Sequence, residues 1–328
     1  MLYRPIVLVL PILLALVFAA CGTDGSSAEQ TATNPPVSTQ ASTQPPAESG
    51  APAQAFPVTI DAENGQVVLD EQPDRIVSIS PTATESLFAI GAGDQVIAVD
   101  DQSTYPADAP VSDLSGFEPN IEAIVALEPD LVVAGFDPGG LVDGLEKVGV
   151  TVLLQPAAID LADAYQQIEE LGTATGHTEE ADELVASMEG EIEELAASVS
   201  ADAADLSVYH ELGPDYFSAT SQTFIGSVYE LLGLENIADE AGAAAPDYPQ
   251  LSGEYIISAD PDLIVLADTT CCGQTAKKVA NRPGWDEIGA VADGNVIPVD
   301  DDIASRWGPR TVDFVDIIAD AVTSAGAG

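Results

Sequence analysis

The chain has 328 residues, 55 Asp and Glu against 8 Lys and Arg, and a formal net charge of −47 at pH 7. Phosphate backbones and anionic lipid surfaces are gripped by clustered Lys and Arg, so this balance excludes nucleic acid and an electrostatic hold on membrane. An apolar fraction of 46%, with regular apolar runs from Arg75 onward, excludes disorder throughout and supplies the core of one large or two medium domains.

Residues 1–20 read as an export signal. Arg4 supplies a positive start, and the apolar run Ile6–Phe18 is too short to span a bilayer comfortably. Ala19 and Ala20 precede Cys21, and this order resembles a bacterial lipobox, with Phe18 where Leu is usual. That resemblance implies acylation of the Cys21 thiol and cleavage before it; the alternative is an ordinary secretory signal beside a bystander Cys. Acyl chains anchor a protein without a transmembrane helix. Cys21 and residues up to 56, rich in Ser, Thr, Pro, Gln and Ala, then form a disordered tether.

Val58 to Leu69 reads as a hairpin turning at Asn64-Gly65. From Arg75 strands and helices alternate. Strands are expected at Ile76–Ser80, Val96–Asp100, Leu131–Gly135 and Thr151–Leu154, with helices at Thr82–Ile90, Ile121–Glu128 and Leu141–Val148. Short Val- and Ile-rich strands with helical crossovers predict a parallel sheet covered on both faces. Within Thr178–Ser200, Leu184, Met188, Ile192, Leu195 and Val199 make one apolar stripe on a long helix. Alternation then resumes. Strands are expected at Leu206–Leu212, Leu263–Asp268 and Val296–Asp300, with helices near Thr223–Leu232, Ser252–Ala259, Trp285–Val291 and Thr311–Val322.

The segment from Glu122 to Ala134 matches that from Glu254 to Leu266, with Glu, Ile, Pro, Asp, Leu and Val at equivalent places. The fold class is therefore α/β: two Rossmann-like lobes with parallel sheets, joined by one long interlobe helix. The N-terminal lobe covers 57–158, the linking helical segment 159–203 and the C-terminal lobe 204–328. A ligand belongs in the interlobe cleft, at the carboxyl ends of the strands.

Catalytic machinery is hard to find. The two histidines, His177 and His210, lie in a helix break and a strand, and neither a nucleophile elbow nor a phosphate-binding loop is present. The chain is expected not to be an enzyme and to need no cofactor.

Arg75-Ile-Val-Ser-Ile-Ser-Pro-Thr-Ala-Thr-Glu-Ser-Leu-Phe-Ala-Ile-Gly91 resembles the opening of the iron-siderophore and vitamin B12 class of ABC-importer substrate-binding proteins. The likeness continues through Asn120–Val132, Phe224–Ile237, Tyr248–Ser252 and Arg282–Trp285, and ends at Ser305–Arg310. It covers about residues 57–322. The resemblance implies two lobes around a rigid helix and capture of a metal chelate, cobalamin or ferric siderophore, outside the cell. It further implies delivery to a permease dimer served by separate ATPase subunits. The chain would be a monomer, lipid-anchored to the outer face of a bacterial cell membrane. By the same resemblance Glu85 and Glu230 match docking glutamates, one per lobe, that bridge to permease Arg residues; the bland reading is two exposed helix glutamates. Haem held by Tyr or His210, a bare metal ion, or a transport-inactive surface sensor or adhesion module are the alternative functions.

Aromatics near strand ends are candidates for the cleft: Tyr105, Phe136, Tyr216, Phe217 and Trp307. Pro81 and Thr82 follow the first strand of the N-terminal lobe, where members of the family contact ligand. Cys271, Cys272 and Gln274 follow a strand of the C-terminal lobe, and the two cysteines could form a vicinal disulfide or hold a soft metal as thiolates. Lys277, Lys278, Arg282, Arg306 and Arg310 supply most of the scarce positive charge. Structural pairing is expected for Arg282 and Arg310, and a place in the cleft for Arg306.

Overall fold

The computed structural model describes residues 54–199, 206–241 and 247–326. The export signal, Cys21 and nearly all of the tether lie outside the described residues.

Strands β1 (Val58–Ala62) and β2 (Gly65–Leu69) pair antiparallel around Asn64-Gly65. Gly65 has φ 103°, a left-handed value that a side chain would resist. The turn also fastens the hairpin to the lobe. Asn64 Nδ2 donates to Val152 O at 3.0 Å, and Leu154 N donates to Asn64 Oδ1 at 3.1 Å.

The N-terminal lobe runs β3 (Ile76–Ile79), α1 (Pro81–Ala89), β4 (Val96–Val99), α2 (Ile121–Val125), β5 (Leu131–Ala134), α3 (Leu141–Glu146) and β6 (Thr151–Leu154). Its strands are parallel in the order β4-β3-β5-β6. Every residue of β3 and β5 is buried, as a sheet covered on both faces requires. Ser80 caps α1 by accepting from Ala83 N, and Pro81 fills its first position, where no N–H is needed.

The linking segment is a helix pair: α4 (Leu161–Thr175) and α5 (Thr178–Ser198). The long helix expected from the stripe within Thr178–Ser200 is α5, and α4 precedes it. The break falls at Gly176, whose φ of 78° caps α4, and Gly172 lets the two helices pack closely, because a Cβ there would stand 2.4 Å from Ala181 Cβ. The buried face of α5 is Ala181, Val185, Met188 and Ile192, with Leu184 and Leu195 on its flank.

The C-terminal lobe runs β7 (Ser207–Glu211), α6 (Phe224–Leu231), β8 (Glu235–Asn236), α7 (Gly253–Ala259), β9 (Leu263–Leu266), α8 (Ala276–Ala280), α9 (Gly289–Asp293), β10 (Val296–Pro298), α10 (Asp301–Ser305) and α11 (Thr311–Gly326). Its strands are parallel in the order β10-β9-β7-β8. Numbered within each lobe, both sheets have the same order, second-first-third-fourth, which gives the internal repeat its structural meaning. Short β8, α8 and α10 carry too few residues for a periodic signal. The expected helix Trp285–Val291 divides into a tight turn, Trp285–Glu287, and α9.

One apolar core runs from lobe to lobe through the linking helices. It joins Leu87 and Val133 to Ile168 and Met188, and these to Val228 and Phe314. Burying each such side chain contributes about 1.5–3 kcal/mol. Helix α11 closes this core against α5. His210 belongs to the same interior. It is fully buried, its Nδ1 lies 2.6 Å from Tyr229 Oη, and the Phe314 ring meets it edge-on. Burial pushes the imidazole down to about 3, so it is neutral. It faces the core and not the cleft, which removes it as an axial ligand. Among the described residues no helix is long and apolar enough to cross a membrane.

Candidate ligand cleft

The strand ends of the N-terminal lobe meet the α10–α11 corner of the C-terminal lobe around a cavity of about 350 Å³. From one side come Ser80, Pro81 and Thr82 after β3, Asp100 and Gln102 after β4, and Phe136 after β5; from the other come Asp302, Arg306 and Trp307. Two hollows of greater volume, about 460 and 520 Å³, lie beside Asp94 and Asp108 and beside Glu191 and Asp313. Neither gathers strand ends, where α/β folds place their ligands.

Phe136 and Phe117 form an aromatic pair in the cavity wall, with ring centroids 6.3 Å apart, and are 43% and 68% exposed. Rings this open, in a concavity, offer a large apolar face to a ligand. Trp307 joins them and is oriented by a 2.8 Å hydrogen bond from Nε1 to Gln167 Oε1 on α4.

The polar floor is a charge cluster that spans the lobes. Arg306 Nη1 donates to Glu85 Oε1 at 2.7 Å, and its Nη2 reaches Gln102 O at 2.9 Å and Asp302 Oδ1 at 2.7 Å. Arg310 donates Nε to Glu85 Oε2 at 2.8 Å and Nη2 to Glu85 Oε1 at 2.6 Å. The Arg310 guanidinium also lies 4.5 Å over the Tyr105 ring. Two guanidiniums and two carboxylates therefore neutralise one another. Arg306 lines the cavity as the sequence predicts, yet most of its donors are already engaged.

Tyr216 lies against the opposite sheet. It has φ 66°, unusual for a non-glycine residue, and is held by stacking on Trp285 at 5.5 Å with Arg282 5.3 Å over its face. Arg282 makes a bidentate pair with buried Glu211, both bonds 2.6 Å, and reaches Gln274 Oε1 at 3.1 Å. Asp268 is wholly buried nearby, and neither of its carboxyl oxygens has a hydrogen-bond partner. Burial first, then the Glu211 carboxylate, push it up to about 7.

Of the residues singled out in the sequence, Pro81, Thr82, Phe136, Arg306 and Trp307 come together around the cavity. Tyr105 is stacked beneath Arg310, Tyr216 and Gln274 belong to the Arg282 cluster, and Phe217 is 44% exposed and bridged to Gln250. Cys271 and Cys272 are exposed on the loop after β9, with their sulfurs 2.6 Å apart. Among the described residues no cluster of three or more His, Cys, Asp or Glu is placed to hold a metal ion. Phe117, Asp100 and Asp302 were not foreseen. Phe117 is a lone aromatic between turn-forming residues, and the two acids are inconspicuous among 55.

Glu85 is 2% exposed, and its carboxylate is occupied by Arg306 and Arg310. Glu230 is exposed but lies in the last turn of α6, at the end remote from the strand ends. The repeat marks a second pair. Glu122 and Glu254 are both exposed, and each stands in the first turn of its helix, after the caps Asn120 and Ser252. In a parallel α/β lobe that end of a crossover helix lies beside the strand ends, so both acids flank the cleft, one on each lobe.

Two parallel-sheet lobes, a shared helical spine and an aromatic-walled cavity at the strand ends define a two-lobed receptor. The profile of the family described as "Periplasmic binding protein" matches residues 76–303. An uncharacterized ABC transporter substrate-binding lipoprotein of Bacillus subtilis (strain 168) is 34% identical over 82% of this chain and 86% of its own length. A cobalamin-binding protein of Halobacterium salinarum is 33% identical over 85% of this chain and 78% of its own. The solved apo structure of a periplasmic heme-binding protein from Roseiflexus sp. RS-1 superposes with TM-score 0.68 at 25% identity, covering 77% of this chain and 99% of that one. The chain belongs to the periplasmic binding protein family and is a substrate-binding protein of the ABC-import class.

Proposed function

We propose that the protein captures a metal chelate, a corrinoid before a ferric siderophore, outside the cell and hands it to an ABC permease. The observation that carries this reading is the cavity itself: Phe117, Phe136 and Trp307 offer ring faces at the ends of parallel strands, suited to a large, flat ligand. The name of the Halobacterium relative favours cobalamin. Anchoring through an acylated Cys21 rests on the lipobox alone, and metabolic labelling with palmitate, abolished by Cys21→Ala, tests it.

Docking falls to Glu122 and Glu254 in place of Glu85 and Glu230. Exposure, matching positions in the repeat and placement on the cleft-bearing side support that choice. Charge-assisted contacts from two separated carboxylates would orient the receptor on a permease dimer.

Titrating the purified protein with cyanocobalamin and ferric hydroxamates while following tryptophan emission tests the ligand. Trp307 lines the cavity and Trp285 is buried beneath Tyr216, so quenching should be lost in Trp307→Phe. Absence of saturable binding to any of these chelates would sink the reading.

A further inference from the structure

Asp100 is the one ionisable group in the cavity wall that the interlobe charge cluster leaves without a partner. It is 3% exposed, at the end of β4. Its Oδ1 accepts from Gln102 N at 3.0 Å, while Oδ2 has no hydrogen-bond partner. Gly116, also in the wall, makes room for it: a Cβ there would lie 2.8 Å from Asp100 Oδ2. Leaving a buried carboxylate oxygen unmatched is costly, and burial raises this acid above its ordinary range. The other ionisable wall residues, Asp302 and Arg306, are already paired with each other, and Arg306 with Glu85.

A ligand entering this cavity therefore meets hydrogen-bond acceptors and an uncompensated acid, with no unpaired cation. Resting on the chelate reading above, we propose that Asp100 is a specificity-determining residue that receives an N–H group of the ligand. It selects chelates whose rim carries carboxamide or ammonium groups, and rejects those that place a carboxylate there. Oδ2 as it stands is closed off beside Gly116, so the carboxylate turns about its Cβ–Cγ bond to meet a carboxamide or ammonium, which supplies the proton that Oδ2 lacks. A carboxylate brings a second negative oxygen into a wall whose guanidinium is already engaged, and repulsion in that partly desolvated space is weakly screened. A porphyrin with two carboxylate arms is disfavoured on the same grounds.

The test compares ligands that differ only in that charge. One pair is cyanocobalamin and its monocarboxylic acids, in which one side-chain amide has been hydrolysed. A second is ferrioxamine B, with a free ammonium, and its N-succinyl derivative. In the pair that binds, the amide or ammonium member should bind about 10- to 100-fold more tightly than at least one carboxylate member, the range of a hydrogen bond to a charged group. Asp100→Asn and Asp100→Ser should each shrink that ratio several-fold; removing an unmatched buried charge should leave both variants folded, checked by thermal unfolding. Equal affinities within the pair, or a ratio that both variants leave unchanged, would overturn the role of Asp100 while the chelate reading stands. Failure of both pairs to bind would overturn the two together.

Discussion

Arg306 donates to Glu85 at 2.7 Å across the boundary between the lobes, and Arg310 adds two further bonds to the same carboxylate. Glu85 is nearly inaccessible, so its acid holds the lobes together and is not offered to a partner. Glu85→Ala leaves two guanidiniums with one acid between them. The expected loss is about 3–5 kcal/mol of unfolding free energy, read by chemical denaturation. Replacing all three residues with apolar ones of similar volume should cost less than the single change. Wild-type stability in Glu85→Ala would restore the docking role expected from the sequence.

The same residue shows what could and could not be read beforehand. The motif around Ser80, Pro81 and Glu85 places α1 after β3, because caps and strand periodicity are local. Whether Glu85 faces solvent depends on Arg306 and Arg310, more than 200 positions away, and no local pattern reports that. The hairpin, seven strands of the two sheets and the long α5 were legible because each carries its own turn or periodic signal. Close approaches such as Gly172 against Ala181 were not, since their reason is a contact between helices. The cleft followed the same division. Trp307 and Phe136 are conspicuous as aromatics at strand ends or motif ends, whereas Asp100 gains meaning only from its unpartnered oxygen.

Glu122 and Glu254 yield a transport prediction. Reversing both to Lys should leave chelate affinity within about twofold and reduce uptake by cells about tenfold or more, because orientation on a permease relies on the charge pair. Each change also places a cation at a helix N-terminus, costing only about 0.3–1 kcal/mol. Glu230→Lys serves as a control and should transport normally. Normal uptake in the double reversal would remove these two acids from docking.

Phe117 and Phe136 are exposed rings, so their truncation should separate binding from folding. Phe117→Ala and Phe136→Ala should each weaken chelate binding by about 1–3 kcal/mol, roughly 5- to 150-fold, through lost apolar contact. Unfolding free energy should move by less than about 0.5–1 kcal/mol, since little of either side chain is buried in the free protein. Isothermal titration and denaturant melts on the same samples decide it. A fall in stability with unchanged affinity would make the pair a packing feature of the lobe.

Asp268 and His210 predict opposite responses to pH. Asp268 is pushed up to about 7 in the folded protein from an ordinary value of 3.8, so between those limits the folded state binds more protons than the unfolded one. Stability from this group is present at low pH and is lost as pH rises through about 7. His210 is pushed down to about 3 from 6.5, so here the unfolded state binds more protons. Its contribution is present above 6.5 and is lost as pH falls toward 3, by at most about 1.4 kcal/mol per pH unit. Asp268→Asn should therefore gain stability relative to wild type as pH rises from 4 to 7, with the gain level above that. His210→Gln should lose stability less steeply than wild type below pH 6. Denaturant melts from pH 4 to 8 read both. A wild-type-minus-variant difference that stays flat across pH 4–7 for Asp268→Asn would show that the carboxyl is ionised in the folded protein throughout.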